Sequence, residues 1–95
     1  MATENPEDFY NRLEQELTNS TQWPSDYLYK FIIPTDEDKS RQISRIFDNT
    51  GAVIKSKQSR NGKYTSLSVN VRMKNPQEVI EKYREVSVVE GVISL

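Results

Sequence analysis

The sequence predicts an α+β fold, a ferredoxin-like βαββαβ sandwich with an extra N-terminal helix. Three observations predict it: segments that alternate between apolar and polar residues, helical segments that begin at capping residues, and the order in which these strands and helices follow one another. Each strand–helix–strand half requires a right-handed crossover, and two such halves give a four-stranded antiparallel sheet with both helices on one face. One face of the sheet would then remain open.

The first predicted element is a helix in NPEDFYNRLEQEL. Asn5 suits the N-cap and Pro6 the first helical position. An apolar stripe recurs every four residues: Phe9, Leu13 and Leu17, with Tyr10 beside them. This stripe either packs on the domain or forms an arm that faces a partner or swaps, and Trp23 can anchor either arrangement. TNSTQWPSD is predicted to be a linker, which divides the chain into a helix and linker (1–26) and a ferredoxin-like domain (27–95).

The next segment, YLYKFII, is predicted to be a strand because it is rich in β-branched and aromatic residues and is closed by Pro34. Since Lys30 lies on the opposite face, the residues expected to face the core are Tyr29, Phe31 and Ile33. A helix follows, with Thr35 and Asp38 resembling a weak capping box and Gly51 ending it. Its expected buried side is Ile43, Ile46 and Phe47.

The segments AVIKSKQS and KYTSLSVNVRM flank RNG, an Asn-Gly signal for a hairpin. In the second of these strands, the inward positions are Leu67, Val69, Val71 and Met73. The outward positions are Tyr64, Ser66, Ser68, Asn70 and Arg72. Asn75 and Pro76 then open a helix, with Glu78 where a capping box places it. One face of this helix carries Val79, Ile80, Tyr83 and Val86, and VVEGVISL is predicted to be the last strand.

The residue composition argues against catalysis. The chain has 95 residues, no cysteine and no histidine, so it lacks a thiolate nucleophile, the commonest general base near pH 7 and the commonest zinc ligands. We therefore expect a protein that is not an enzyme and that holds no cofactor or metal. The acids Asp36, Glu37 and Asp38 are expected to stabilise a helix start, because no other ligand with calcium-loop spacing is near them.

The charge and hydropathy patterns bear on location and partners. The net charge is −1, no apolar run approaches the roughly 20 residues of a spanning helix, and MATENPEDF lacks the features of a signal peptide. We expect a cytoplasmic protein with no membrane partner. Residues 31–75 nevertheless carry nine Lys or Arg against four Asp or Glu, a net charge of +5. The predicted hairpin holds a basic cluster: Lys55, Lys57, Arg60 and Lys63. It either contacts RNA or an acidic protein, or is merely solvated.

The outward positions of the long strand are the candidate interaction surface. Small hydroxyl and amide side chains allow another protein to approach closely, and Tyr64 and Arg72 are residue types enriched at interfaces. The alternative is a solvated face, which antiparallel sheets tolerate. Nucleic-acid binding is disfavoured, because RNA-recognition domains of this topology stack bases on exposed aromatic residues. Here Ser66 and Ser68 follow Tyr64 where further rings would be needed.

NGKYTSLSVNV carries a resemblance to a known family. A glycine, one residue, an aromatic residue and then alternating serine and β-branched positions resemble the small bacterial YbeD-like proteins, a family of unknown function. The short final strand and the tyrosine-containing helix before it are also similar, so that the resemblance covers roughly residues 27–95. It implies a ferredoxin-like fold close to ACT regulatory domains, which bind amino acids and assemble by sheet pairing, and it implies no catalytic residue.

The functional expectation is a regulatory or protein-interaction module that contacts a protein partner or a second copy of itself. An alternative is a sensor of a small, amino-acid-type effector in a cleft between subunits. ACT-type sites usually place a glycine after the first strand, whereas this chain has PTDEDKS there, with no glycine. Weak RNA contact by the basic cluster is the third and less favoured hypothesis.

Overall fold

The structure is a computed structural model that describes residues 5–95. In chain order its elements are α1 (Pro6–Ser20), β1 (Ser25–Pro34), α2 (Glu37–Ile46), β2 (Val53–Gln58), β3 (Tyr64–Met73), α3 (Pro76–Val86) and β4 (Ile93–Ser94). The prediction of an α+β architecture is therefore confirmed. No helix in this range is both long and apolar enough to cross a membrane.

The four strands form one antiparallel sheet in the order β2-β3-β1-β4. The two long strands, β1 and β3, pair along their whole length, starting with Ser25 opposite Met73. β2 pairs with the other side of β3, and β4 pairs with only Phe31 and Ile32 of β1. β3 therefore lies between two partners, and its side chains occupy the middle of both faces.

One face of this sheet and the apolar sides of α2 and α3 form the core. Its buried side chains are Tyr29, Phe31, Ile33, Ile43, Phe47, Leu67, Val69, Val71, Met73, Val79, Ile80, Tyr83, Val86 and Val89. The inward positions that alternation assigned to β1 and β3 are all among them, which confirms those predictions. The residues predicted for the buried sides of α2 and α3 also pack here, although Ile46 is only half-buried.

α1 packs beside α3 in its own domain, which is the first of the two arrangements expected for its apolar stripe. Three of the stripe residues lie partly buried against the core: Tyr10, Leu13 and Leu17. Phe9 remains exposed. The carboxylate of Glu7 accepts hydrogen bonds from both terminal nitrogens of Arg84, and the Trp23 indole donates to the Leu17 carbonyl at 3.1 Å. The division of the chain at residue 26 stays a prediction.

Three capping side chains begin the three helices. Asn5 and Asn75 accept backbone N–H groups at 2.9 and 2.8 Å, as predicted, and proline follows each of them. The prediction for α2 was wrong, because its cap is Asp36, which accepts the N–H of the second helical residue at 2.8 Å. Thr35 is not free to cap, since its hydroxyl is bonded to that of Thr65 at 2.9 Å.

The connection between α1 and β1 is shorter than predicted. α1 continues to Ser20 and β1 begins at Ser25, so only residues 21–24 connect them, with a cis peptide bond before Pro24. The polar residues at each end of TNSTQWPSD belong to regular structure, because the first three form the end of α1 and the last two pair in the β1–β3 ladder. Polarity alone therefore mispredicted a linker here.

The last strand is also shorter than VVEGVISL, since only Ile93–Ser94 is extended. Gly91 has φ of +81°, a left-handed conformation that interrupts a strand, and a Cβ added there would lie 3.0 Å from Cγ of Pro34. Val89 is buried in the preceding turn and so contributes to the core without being in a strand. The hairpin between β2 and β3 likewise has a five-residue loop, 59–63, where RNG alone was predicted to separate the strands.

Candidate functional site: the open face of the sheet

The five predicted surface residues lie on the face of the sheet that points away from the helices. Along β3 the buried and less buried positions alternate without interruption, because the side chains of a strand point to opposite faces in turn. The side chains on the outer face are Tyr64, Ser66, Ser68, Asn70 and Arg72. All are exposed except Ser68, which is half-buried in the middle of the strand. We call this side of the sheet the open face.

Two lysines from the neighbouring strands flank the centre of the open face. Lys30 of β1 and Lys55 of β2 are each directly opposite Ser68 of β3. In the next row, Ile32 and Lys57 flank Ser66 in the same way. The register therefore brings two residues of the predicted basic cluster, Lys55 and Lys57, onto the predicted interaction surface. In the sequence the cluster and the surface are two separate features.

A third row contains apolar side chains that sequence reasoning missed. Leu28 and Val53 lie on either side of Asn70, and they are 51% and 58% exposed. Leu28 was predictable, because it shares a face with Lys30 by simple alternation. Val53 was not, since only the pairing of β2 with β3 places it beside Asn70.

The rows together form a shallow trough along β3. The floor is made of small side chains, Ser66, Ser68 and Asn70, and the longer side chains of β1 and β2 form the two walls. Two depressions lie in it, of about 260 Å³ and about 200 Å³. The larger is lined by Leu28, Val53, Lys55, Ser68 and Asn70. The smaller is lined by Ile32, Lys57, Gln58, Ser59, Tyr64 and Ser66.

The two ends of the trough differ in chemistry. At one end the ring of Tyr64 is half exposed and lines the smaller depression. At the other end Arg72 forms an exposed ion pair with Asp26 at 3.7 Å. Asp26 is opposite Arg72 in the β1–β3 ladder, so the pair spans two adjacent strands.

The open face is mainly cationic. Among the described residues, its strands carry Lys30, Lys55, Lys57 and Arg72 against one acid, Asp26. The other two members of the basic cluster, Arg60 and Lys63, lie in the hairpin loop beyond the strands. This loop extends the positive charge past the Tyr64 end of the trough.

The buried tyrosine hydroxyls all have structural partners. The hydroxyls of Tyr27 and Tyr83 are 2.8 Å apart, and Tyr29 donates to the Val79 carbonyl at 3.0 Å. Burial, reinforced by the neighbouring tyrosines, raises the pKa of both Tyr29 and Tyr83 above the usual value for tyrosine. Neither phenol is therefore poised to act as a base near neutral pH.

A separate, polar cleft of about 340 Å³ lies between α2 and the inner side of β2 and β3. It is lined by Thr35, Asp36, Glu37, Ser40, Arg41, Ser44, Ser56, Gln58 and Thr65. Several of these groups are already engaged with one another, because Asp36 caps α2 and Arg41 pairs with Glu37 at 3.4 Å. The cleft includes the loop after β1, which is where ACT-type sites hold their effector.

The acidic triplet Asp36, Glu37 and Asp38 begins α2, as expected, with Asp36 as the cap and Arg41 within 3.7 Å of the Asp38 carboxylate. Across residues 5–95 there is no group of three potential ligands (His, Cys, Asp or Glu) placed to hold a metal ion.

Comparison with known proteins gives a family but no named relative. No curated protein and no solved structure matched the chain. The model of one family, described as "Protein of unknown function (DUF493)", matches residues 18–95. The match covers the sheet, α2 and α3 and the end of α1, and it is consistent with the resemblance to the YbeD-like proteins. The chain therefore belongs to the DUF493 family, whose function is unknown.

Proposed function

We propose that this chain is a non-enzymatic protein-interaction module of the ferredoxin-like, ACT-related type, and that its open face binds a protein partner. The observation that carries the proposal is the trough along β3. It combines a floor of small side chains, exposed aliphatic side chains on both walls, and an aromatic residue at one end. When a partner removes exposed aliphatic groups from water, the free energy of the complex falls, so such groups in a concave surface favour binding.

The sheet order and the position of the helices support the ferredoxin-like assignment. The strands are antiparallel in the order β2-β3-β1-β4, and α2 and α3 pack on one face. Among the described residues, the pKa is shifted for two buried tyrosines, Tyr29 and Tyr83, and for the two members of the Glu7–Arg84 ion pair. This ion pair holds α1 against α3. These shifts have structural causes, which favours a binding role over a catalytic one.

The charge of the open face distinguishes between two kinds of partner, a second copy of the chain and a different protein. If two copies of the chain met through their open faces, they would bring Lys30, Lys55 and Lys57 of one copy against the same residues of the other. Like charges that face each other across an interface are unfavourable and suppress that pairing. We therefore propose that the partner is a different protein with an acidic surface.

The proposal predicts that Ser66→Glu combined with Ser68→Glu abolishes partner binding and leaves the domain folded. The two carboxylates would fill the floor of the trough and repel an acidic partner. The matched control is Gln15→Glu with Gln42→Glu, which adds the same charge at exposed positions of α1 and α2. Binding is measured by quantitative capture from lysate on the wild-type chain and both variants, and folding by circular dichroism and thermal unfolding.

We expect proteins retained by the wild type and by the control to be lost from the Ser66/Ser68 variant. If the folded Ser66/Ser68 variant retains the same proteins at the same level, the open face is not the binding surface. If the control loses them equally, the effect is one of net charge and does not locate the partner on this face.

A second candidate function, sensing of a small polar molecule, is favoured by the cleft beside α2, which has the size of a small ligand site. A thermal-shift screen against amino acids, nucleotides and cofactors tests it. A ligand at about a hundred times its Kd stabilises the folded state by about 2.7 kcal/mol, which shifts Tm by several degrees in a domain of this size. Saturable stabilisation that is lost in Ser44→Glu would support the sensor, and a flat screen would favour the protein-binding function.

A further inference from the structure

We infer that the partner segment bound by the open face is an acidic amphipathic α-helix lying along β3. This inference rests on the proposed function and specifies the partner. The segment would have an apolar residue at position i, an acidic residue at i+4 and an apolar residue at i+7 or i+8.

Along β3, two depressions that have apolar side chains on their walls lie on either side of a site for an anion. The depression at the Asn70 row is bordered by Leu28 and Val53. The depression at the Ser66 row is bordered by Ile32 and Tyr64, with Lys57 on its β2 side. Between the two lies the Ser68 row, with a lysine on each side.

The spacing of these rows matches two turns of an α-helix. Asn70 and Ser66 are four residues apart on an extended strand, which is about 13 Å, and the lysine row lies about 6.6 Å from each. In a helix, residues i and i+8 are about 12 Å apart and i and i+4 about 6 Å. Apolar side chains at the two outer positions thus reach the two depressions while the acid at i+4 lies over Ser68, between Lys30 and Lys55.

An extended partner strand would match the same rows, but its backbone N–H and C=O groups would have no hydrogen-bond partners. Its side chains at i, i+2 and i+4 have the spacing of β3 itself. A strand lying on the face of a sheet, however, cannot use the sheet's hydrogen-bonding edges, so its N–H and C=O groups would lose water without gaining partners. A helix bonds its own backbone groups internally and avoids that cost.

The width of the trough also suits a helix. β1 and β2 are each about 4.8 Å from β3, so the backbones that carry the two walls are about 9.6 Å apart, close to the roughly 10–12 Å diameter of a helix with its side chains. A helix would therefore rest on the two walls, with one row of its side chains pointing into the trough. The serine floor lets the helix axis approach the sheet at the middle of the trough. Lys57 and the loop cations Arg60 and Lys63 would then attract acids on the flanks of the helix.

The first experiment selects binders from a display library of random 16-residue peptides on the full chain, with counter-selection on the Ser66→Glu, Ser68→Glu variant. The spacing of enriched residues reports the conformation of the bound segment. We expect apolar, acidic and apolar residues at i, i+4 and i+7 or i+8, in peptides that become helical when bound. Enrichment of the alternating i, i+2, i+4 spacing would overturn the helix while leaving the open face as the interface.

An enriched peptide is then synthesised, and its Kd is measured against charge variants. Lys30→Gln with Lys55→Gln should weaken binding about tenfold, since two charge-assisted contacts at about 0.7 kcal/mol each correspond to that factor. The matched control, Arg41→Gln with Arg45→Gln, removes the same charge from α2 on the helix side of the sheet, and its Kd should stay within about twofold of the wild-type value. Equal weakening in both variants would overturn the placement of the acid between the two lysines.

Two further outcomes would overturn the inference in favour of other occupants. Dimerisation of the wild-type chain that is lost in the Ser66/Ser68 variant, measured by sedimentation, would make the occupant a second copy. Displacement of the peptide by a lower concentration of a single-stranded RNA oligonucleotide would make it a nucleic acid. If the library yields nothing that depends on Ser66 and Ser68, the helix is overturned, and lysate capture then decides separately whether the proposed function fails with it.

Discussion

At the scale of single residues, the tyrosines of the core combine large apolar rings with hydroxyls that each have a partner. The ring of Tyr29 packs against those of Phe31, Phe47 and Tyr83 at centroid distances of 4.8 to 5.6 Å. Its hydroxyl reaches the Val79 carbonyl, and the hydroxyl of Tyr83 reaches Tyr27. Because burial raises the pKa of Tyr29 and Tyr83, the folded state strongly favours the neutral phenol of both residues.

This predicts a loss of stability at alkaline pH. Below about pH 10 both states keep the phenols protonated, so these residues make no pH-dependent difference. Above it, the unfolded state releases protons that the folded state retains, and the free energy of unfolding falls by up to about 1.4 kcal/mol per pH unit for each tyrosine. Urea unfolding between pH 8 and 11.5 should give a shallower decline for Tyr29→Phe than for the wild type. Parallel declines would contradict the prediction.

At the scale of secondary-structure elements, α1 is held differently from the rest of the molecule. Its 15 residues include none that is fully buried, whereas α3, with 11 residues, buries five. α1 depends on a half-buried apolar stripe and on polar contacts such as the Glu7–Arg84 pair, with the Arg84 guanidinium 4.7 Å from the centre of the Tyr10 ring. Elements with few buried contacts open locally at low free-energy cost.

We therefore predict that Glu7→Gln speeds hydrogen exchange of α1 amides and leaves those of β1 and β3 unchanged. The Arg84 hydrogen bond holds the pKa of Glu7 below its ordinary value. The ion pair consequently contributes at pH values above the unfolded pKa and is lost as pH falls through the folded pKa. Glu85→Gln, which removes the exposed partner of Lys82, is the control and should leave α1 exchange as it is. Equal acceleration in both variants would show that the Glu7 contact does not fasten α1.

At the scale of the whole molecule, the same two strands serve two surfaces. β1 and β3 place alternate side chains in the core and on the open face, so the residues that stabilise the fold are interleaved with those proposed to bind. Phe31, for example, is fully buried, while its neighbours Lys30 and Ile32 face outward. Stability and binding should therefore be separable by substitutions on opposite faces of these two strands.

We predict that Phe31→Ala lowers the free energy of unfolding far more than Ser68→Ala does. Truncating the buried ring should lower the free energy of unfolding by about 3–5 kcal/mol, a large part of the roughly 5–15 kcal/mol that a small domain possesses. Removing one hydroxyl from the open face should change it by no more than about 0.5 kcal/mol. Urea denaturation measures both. A cost for Ser68→Ala comparable with that of Phe31→Ala would mean that the open face belongs to the folding core.

The candidate site was only partly predictable from the sequence. Alternation in TSLSVNVRM was enough to place Ser66, Ser68 and Asn70 on one face, because side-chain direction in a strand repeats every two residues. The flanking lysines and apolar residues come from β1 and β2, and which of them adjoins which β3 residue depends on pairing register. No local pattern in AVIKSKQS indicates that Lys55, and not Lys57, is opposite Ser68.

The sequence by itself determined the features that depend on neighbours along the chain. These are the helix starts at Asn5 and Asn75, the two faces of β1 and β3, and the apolar sides of α2 and α3, because capping, strand alternation and helical periodicity act within a few residues. Only the tertiary structure decided where α1 docks, that Thr35 binds Thr65 instead of capping α2, and that the lysines of two strands converge on Ser68. Those features depend on contacts between segments distant in the chain, and they are fixed by the packing of the whole domain.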